Sequence, residues 1–172
     1  MIIYRSALVA ELSELKSFLF THGTNPWNHL PIDGVNREFE LVANGSASML
    51  IAVENTTFLG FVIFYHPDCL PDQYLQYTEL QTTIYIAEAV VHKDYTGQGI
   101  GHHLLRLVTE RAVDLDATLL LIDRHEENMA SAGMMRKAGF KLLTTYRDPQ
   151  RRHYGSRNTS ILSLQLNGDD ET

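Results

Sequence analysis

The sequence predicts a mixed α/β fold, one sheet with helices on both faces, built as a single domain over residues 1–172. Three observations carry this. The chain has 172 residues, 44% of them apolar and 20% charged, and a domain of that size buries close to 70% of its unfolded surface. Strand-like and helix-like apolar periodicities follow one another in the order strand, one or two helices, three strands, helix, strand, helix, two strands. A glycine-rich turn joins the fourth strand to the helix after it.

IIYRSAL opens the chain as a strand, and VAELSELKSFLF follows as an amphipathic helix with Leu12, Leu15 and Leu19 at helical spacing. A second, weaker helix covers VNREFELVAN. SMLIAVE and FLGFVIFY are strand-like runs around the polar Asn55-Thr56, which predicts an antiparallel hairpin. HPDCLPDQYLQYTELQ is polar, carries two prolines and reads as a long surface loop. TTIYIAEAVV, rich in β-branched residues, is the next strand. Leu104, Leu105, Val108, Ala112 and Leu115 then mark one face of a helix, and TLLLI reads as a strand buried on both faces. Asn128 suits the N-cap of the helix MASAGMMRKA, and Gly139 its C-terminal stop. FKLLTTY and SILSLQL are the last two strands, and NGDDET is expected to fray.

Composition excludes several functions. A formal charge of −7 disfavours nucleic acid, which needs a basic face, and is compatible with a cationic substrate. The lone Cys69 excludes an internal disulfide, fits a reducing compartment and is read as chemically silent. No apolar run approaches the roughly 20 residues that span a bilayer. MIIYRSALVAE lacks the charged start and long apolar middle of a signal peptide. A cytoplasmic protein without membrane or nucleic-acid partners is expected.

HKDYTGQGIGHHLL packs Gly97, Gly99 and Gly101 into five positions just where a helix begins, although glycine costs about 1 kcal/mol against alanine inside a helix. A strand, a glycine turn and a helix start together make an anion site. The first helical N–H groups have no internal partner, the helix dipole adds positive charge there, and glycine lets a phosphate approach the backbone. The dinucleotide fingerprint G-x-G-x-x-G fails at His102, which argues against a nicotinamide enzyme, and the P-loop pattern is absent. A glycine turn without a ligand is the bland alternative.

EAVVHKDYTGQGIGHHLL, with ENMASAGMMRKAGF further on, resembles the GNAT superfamily of acyl-CoA-dependent N-acyltransferases. Its pyrophosphate motif [RQ]-x-x-G-x-[GA] falls here on Thr96, Gly97, Gln98, Gly99, Ile100 and Gly101. The resemblance implies the GNAT fold, whose central mixed sheet is mostly antiparallel with about six to seven strands. It implies acetyl-CoA as cosubstrate, its pyrophosphate held by N–H groups of residues 97 to 102, His102 included. It also implies that the pantetheine arm pairs with a splayed, bulged strand at Val90 and Val91, with His92 flanking, and that Asn128 contacts the arm. Gly99 and Gly101 are expected to open the backbone to phosphate. Thr96 stands where the family has arginine or glutamine. Met135 stands where many relatives carry the tyrosine that protonates the departing thiolate, and methionine has no proton to donate.

The implied reaction moves an acetyl group to a primary amine in a ternary complex. Freeing a lysine-like amine of its proton at pH 7 costs roughly 4–5 kcal/mol, so a carboxylate base is needed. Glu88, nearest the expected bulge, is the first candidate, although strict alternation would face it away from Ala87 and Ala89. A backbone N–H near Val91 can stabilise the thioester oxygen. Tyr85 is a candidate to line the amine pocket, and Tyr146 or Tyr154 to supply a phenol. His92, His102, His103 and His125 have no metal-ligand spacing, and no metal is expected. Arg151-Arg152 reads as a solvated loop. The acceptor is a small-molecule or peptide amine, its pocket built from THGTNPWNHLPIDG and HPDCLPDQYLQYTELQ with Trp27, Tyr74 and Tyr77 as candidate walls; a homodimer is left open. The competing function is a non-catalytic acyl-CoA-binding or regulatory module on the same fold.

Overall fold

Asn55 adopts the left-handed conformation at φ 54°, which its short polar side chain tolerates. The chain therefore reverses at Asn55-Thr56, and strands β2 (Ala47–Glu54) and β3 (Thr57–Tyr65) pair antiparallel with Glu54 opposite Thr57. This hairpin seeds the sheet of a computed structural model that describes residues 1–78 and 81–166. The remaining strands are β1 (Ile3–Ser6), β4 (Thr83–Val91), β5 (Leu119–His125), β6 (Lys141–Arg147) and β7 (Asn158–Gln165). Their order is β1-β2-β3-β4-β5-β7-β6, seven strands among the described residues, every neighbouring pair antiparallel except β4 and β5.

Helices cover both faces. On one, α3 (Ile100–Asp114) and α4 (Met129–Lys137) pack Ile100, Leu104, Leu105 and Met135 onto Ile84, Ile86, Leu120 and Ile122. On the other, α1 (Leu12–His22) and α2 (Ile32–Ala43) pack Leu15, Leu19, Val35 and Phe39 onto Met49, Ile51, Phe61 and Ile63. The helix expected over VNREFELVAN starts three residues earlier, after Pro31, whose fixed φ suits a helix entrance. No helix among the described residues is long and apolar enough to cross a membrane. The expected fraying of NGDDET concerns residues outside those described.

The segment after β3 corrects the surface-loop reading. It forms short 3-10 turns at Pro67–Cys69 and Asp72–Tyr77, and Tyr74 is 1% exposed. Its ring stacks on Tyr85 and its hydroxyl binds Asp123, so a polar stretch is anchored by one aromatic residue whose polar tip finds a buried partner.

Two irregularities of β4 prepare the site. Its parallel pairing with β5 lasts only from Thr83–Leu119 to Ile86–Ile122; beyond that β4 continues beside β3 and β5 beside β7. Opposite β3, Ile86 faces Phe64 and Glu88 faces Ile63, so Ala87 is an extra, bulged residue. The bulge resets the alternation of side chains. Ile84 and Ile86 lie on the α3/α4 face and so do Ala89 and Val91, whereas Val90 lies on the α1/α2 face. Glu88, opposite Ile63, joins Ala87 on the α1/α2 face.

Candidate active site

The divergence of β4 from β5 opens a cleft of about 900 Å³ running from the glycine turn to the α1–α2 segment. His92 donates its N–H to Leu59 on β3. Successive N–H groups of a strand point to opposite edges, so those of Val91 and Ala89 point into the gap. Val90, Val91, Thr96, Gly97, Gly99, Ile100, Gly101, His102 and Asn128 all line the cleft. His92 and Gln98 do not: His92 lies against His22, the rings tilted with centroids 4.0 Å apart, and accepts a hydrogen bond from the Asp94 N–H.

Gly97 and Gly99 sit at φ 79° and 81°, in open space. Backbone conformation, not crowding, selects glycine there. Gly99 is the N-cap of α3 without a side-chain cap, so the first N–H groups of that helix are left for an anion. Gly101 lines the cleft as expected and carries a second constraint. Its φ is ordinary, and a methyl group there would run into the Met134 sulfur and lie 3.3 Å from Val91 Cγ2. The packing of α3 on α4 and β4 thus adds a steric reason for glycine there. Asn128 caps α4 as expected, its Oδ1 accepting from the Ser131 N–H at 3.2 Å.

The bulge turns Glu88 to the α1/α2 face, where it lines the cleft together with Glu38 of α2. Burial raises both carboxyls above their ordinary range, and the charge of Glu88 raises Glu38 further; a hydrogen bond from Glu38 restrains the rise of Glu88. Glu38 Oε2 is buried and meets no N–H or O–H donor among the described residues. Two ionised carboxylates have nothing to donate to one another, so a hydrogen bond between them requires that one keep its proton.

Beside it, Asp123 is an acceptor with four donors. Tyr85 donates at 3.0 Å, Arg151 at 3.1 and 3.2 Å, Arg152 at 3.3 Å, and Tyr74 makes a short contact. Burial alone would raise its pKa; the Arg151 guanidinium, with Arg152 and Tyr74, outweighs burial and holds it below the usual carboxylate range. The solvated-loop reading of Arg151-Arg152 is thereby overturned. Arg152 is 5% exposed, bound to Asp123 and, through Nε, to Thr159 at 2.8 Å, because a buried carboxylate on β5 requires buried cations opposite it.

Tyr85 lines the cleft; Tyr146 does not, and is packed with Tyr74, Tyr85 and Ile161. Tyr154 is 61% exposed and lends only its carbonyl, to His125 at 2.7 Å. Met135, 3% exposed, lines the cleft as part of the core. Trp27 lines it too, its ring 4.8 Å from that of His125. Among the described residues no three His, Cys, Asp or Glu side chains are grouped to hold a metal ion. Glu38, Asp123 and the role of the arginines escaped the sequence reading. Glu38 did leave a signal, a carboxylate sharing the helical face of Val35 and Phe39; so did Asp123, directly after the apolar run that opens β5.

Residues 10–140 match the Acetyltransferase (GNAT) family. The L-amino acid N-acyltransferase MnaT of Escherichia coli is 25% identical over 98% of this chain and 93% of its own. Salmonella typhimurium yncA, solved with its cofactor acetyl-CoA, matches with a TM-score of 0.75 at 19% identity, covering 100% of this chain and 98% of that one. The Drosophila melanogaster polyamine N-acetyltransferase, which forms N-acetylagmatine, matches at 0.71 and 16% identity over 96% of this chain and 100% of that one. At these identities the likeness to the two solved structures speaks for the fold.

Proposed function

The chain belongs to the acetyltransferase (GNAT) family, and we propose that it moves the acetyl group of acetyl-CoA to the primary amine of a small acceptor bound in the same cleft. The observation that carries this reading is the bulge on β4: it sends Glu88 toward α2 while the N–H groups beside it point into the gap. The residues present fit acetyl-CoA. The uncapped start of α3 with the open glycines 97 and 99 suits a pyrophosphate, the free edge of β4 at Val90 and Val91 suits an amide-bearing arm, and Asn128 lies across the cleft. Acetyl-CoA supplies an activated acyl carbon.

The chain's own residues do the rest. Glu88 takes the ammonium proton, directly or through a water. The Val91 N–H is the donor for the developing oxyanion, a contribution of about 3–4 kcal/mol for one such group. No side-chain acid is assigned. Met135 has no proton to give, Tyr146 is shut out of the cleft, and a thiol with an ordinary pKa near 8.5 leaves at neutral pH without one. Trp27 and Pro31 from the α1–α2 segment and Arg151 from the β6–β7 segment line the cleft where the acceptor would sit. L-Amino acids, named in the E. coli relative, and amines such as agmatine are the first acceptors to test. A panel of both with acetyl-CoA, read as thiol release, should give acceptor-dependent turnover. Acetyl-CoA binding without turnover across the panel would instead favour the non-catalytic module.

A further inference from the structure

The arginines whose charges act on the Glu38–Glu88 pair, Arg151 and Arg152, are both engaged by another carboxylate. Arg151 and Arg152 both bind Asp123, and Arg151 also lies 3.6 Å from Asp148. No salt bridge among the described residues reaches Glu38 or Glu88. Glu38 nonetheless stays on the buried face of α2, between Val35 and Phe39, with Oε2 lacking a donor. An uncompensated buried charge is expensive, and a retained proton is the remedy these surroundings allow. Tyr65, on β3, also feels the charges of both glutamates and titrates higher for it, after the effect of its own burial.

We propose that Glu38 is a positioning residue of the reaction: it keeps its proton, donates it as a hydrogen bond to Glu88, and so holds Glu88 as the ionised carboxylate that receives the proton of the acceptor ammonium. This rests on the acetyl-transfer reading for what Glu88 does, but the pair itself is testable without turnover. In the step, one N–H bond of the ammonium breaks and one O–H bond forms on Glu88, while the Glu38 proton stays where it is. The groups that act on Glu88 are the Glu38 carboxyl from α2, as a hydrogen-bond partner, and the charges of Asp123 from β5 and of Arg151 and Arg152 from the β6–β7 segment.

The two glutamates are separable by the donor that a substitution leaves behind. Glu38→Gln retains an N–H donor toward Glu88, whereas Glu38→Ala removes it, so Glu88 then keeps its own proton to higher pH. The experiment is a ¹³C NMR titration of glutamate-labelled full chain from pH 4 to 10, in wild type, both Glu38 variants and Glu88→Gln. Wild type should show one carboxyl that stays protonated through neutral pH and disappears in Glu38→Gln. Glu88 should titrate within about half a pH unit of wild type in Glu38→Gln and a unit or more higher in Glu38→Ala. Glu38 should titrate lower in Glu88→Gln, which keeps the test decisive should Glu38→Ala fail to fold. Two carboxyls titrating independently in the ordinary range, or a Glu38 unmoved by Glu88→Gln, would overturn the proposal. With any amine that turns over, the acid limb of kcat/KM should follow the same order, rescued by Gln and displaced upward by Ala. If the titration holds and no amine turns over, the acetyl-transfer reading fails and the pair stands.

Discussion

Asp123 and Glu88 lie in one cleft and answer pH in opposite directions. Asp123 titrates below its unfolded value, so its stabilisation is complete above that value, near 3.9, and is lost as pH falls through the lower folded one. Replacing it with Asn leaves Arg152, 5% exposed, without a counter-charge, and breaking such a buried pair from one side costs about 3–5 kcal/mol. Urea unfolding at pH 7 should show a loss of that size. Glu88 titrates above its unfolded value, so the folded state binds the proton more tightly and the group erodes stability as pH rises through the interval between the two values. Turnover needs the ionised form and should therefore climb with pH through the folded value. Glu88→Gln keeps the shape without the base. Its turnover at pH 7 should fall about 10²–10⁴-fold with acetyl-CoA affinity nearly unchanged, part of the loss returning at high pH as free amine accumulates. Wild-type turnover in that variant would return Glu88 to a packing role.

At the scale of elements, β4 and the turn after it make two separable predictions. Deleting Ala87 removes the bulge but leaves Glu88 opposite Ile63 and Val90 on its present face, so circular dichroism should report a folded chain. The strand then loses the bend that a bulge supplies, and acetyl-CoA binding by calorimetry should weaken. Deleting Ala89 instead drives Val90 and Val91 onto exchanged faces and should unfold the sheet. The glycines divide similarly. Gly99→Ala places a methyl in open space at φ 81°, a strain of about 1–2 kcal/mol felt in the turn and hence in acetyl-CoA binding. Gly101→Gln must displace Met134 from between α3 and α4, so urea unfolding should register a loss of stability before any question of binding arises. Had both glycines served the ligand alone, the two variants would be equally stable. The sequence shows the three glycines but not which backbone angle or neighbour each one answers.

On the scale of the molecule, the sheet is two pieces, β1–β4 and β5–β7–β6, joined by four residue pairs between β4 and β5. A ligand spanning the gap contacts both pieces in the folded state and neither in the unfolded chain. Acetyl-CoA at a hundred times its Kd should add about 2.7 kcal/mol, a rise in Tm of roughly 5–10 °C for a domain of this size. A thermal scan with and without acetyl-CoA checks this, and the Ala87 deletion should shrink the shift.

The sequence by itself determined the order of strands and helices, the hairpin at Asn55-Thr56, the cap at Asn128 and the glycine turn after β4, because each is written in contacts between residues near in the chain. It also placed Glu88 beside the bulge. Which way Glu88 faces was decided by pairing with Ile63 on β3, 25 residues away by the difference of their numbers. The same holds for the company it keeps. Glu38, Asp123 and Arg151 come from α2, β5 and the β6–β7 segment, and read singly they are an acidic helix residue, a strand end and a polar loop. Burial brought two carboxyls into one cleft and saturated a third with donors, since only the folded interior removes the water that would otherwise serve each charge alone.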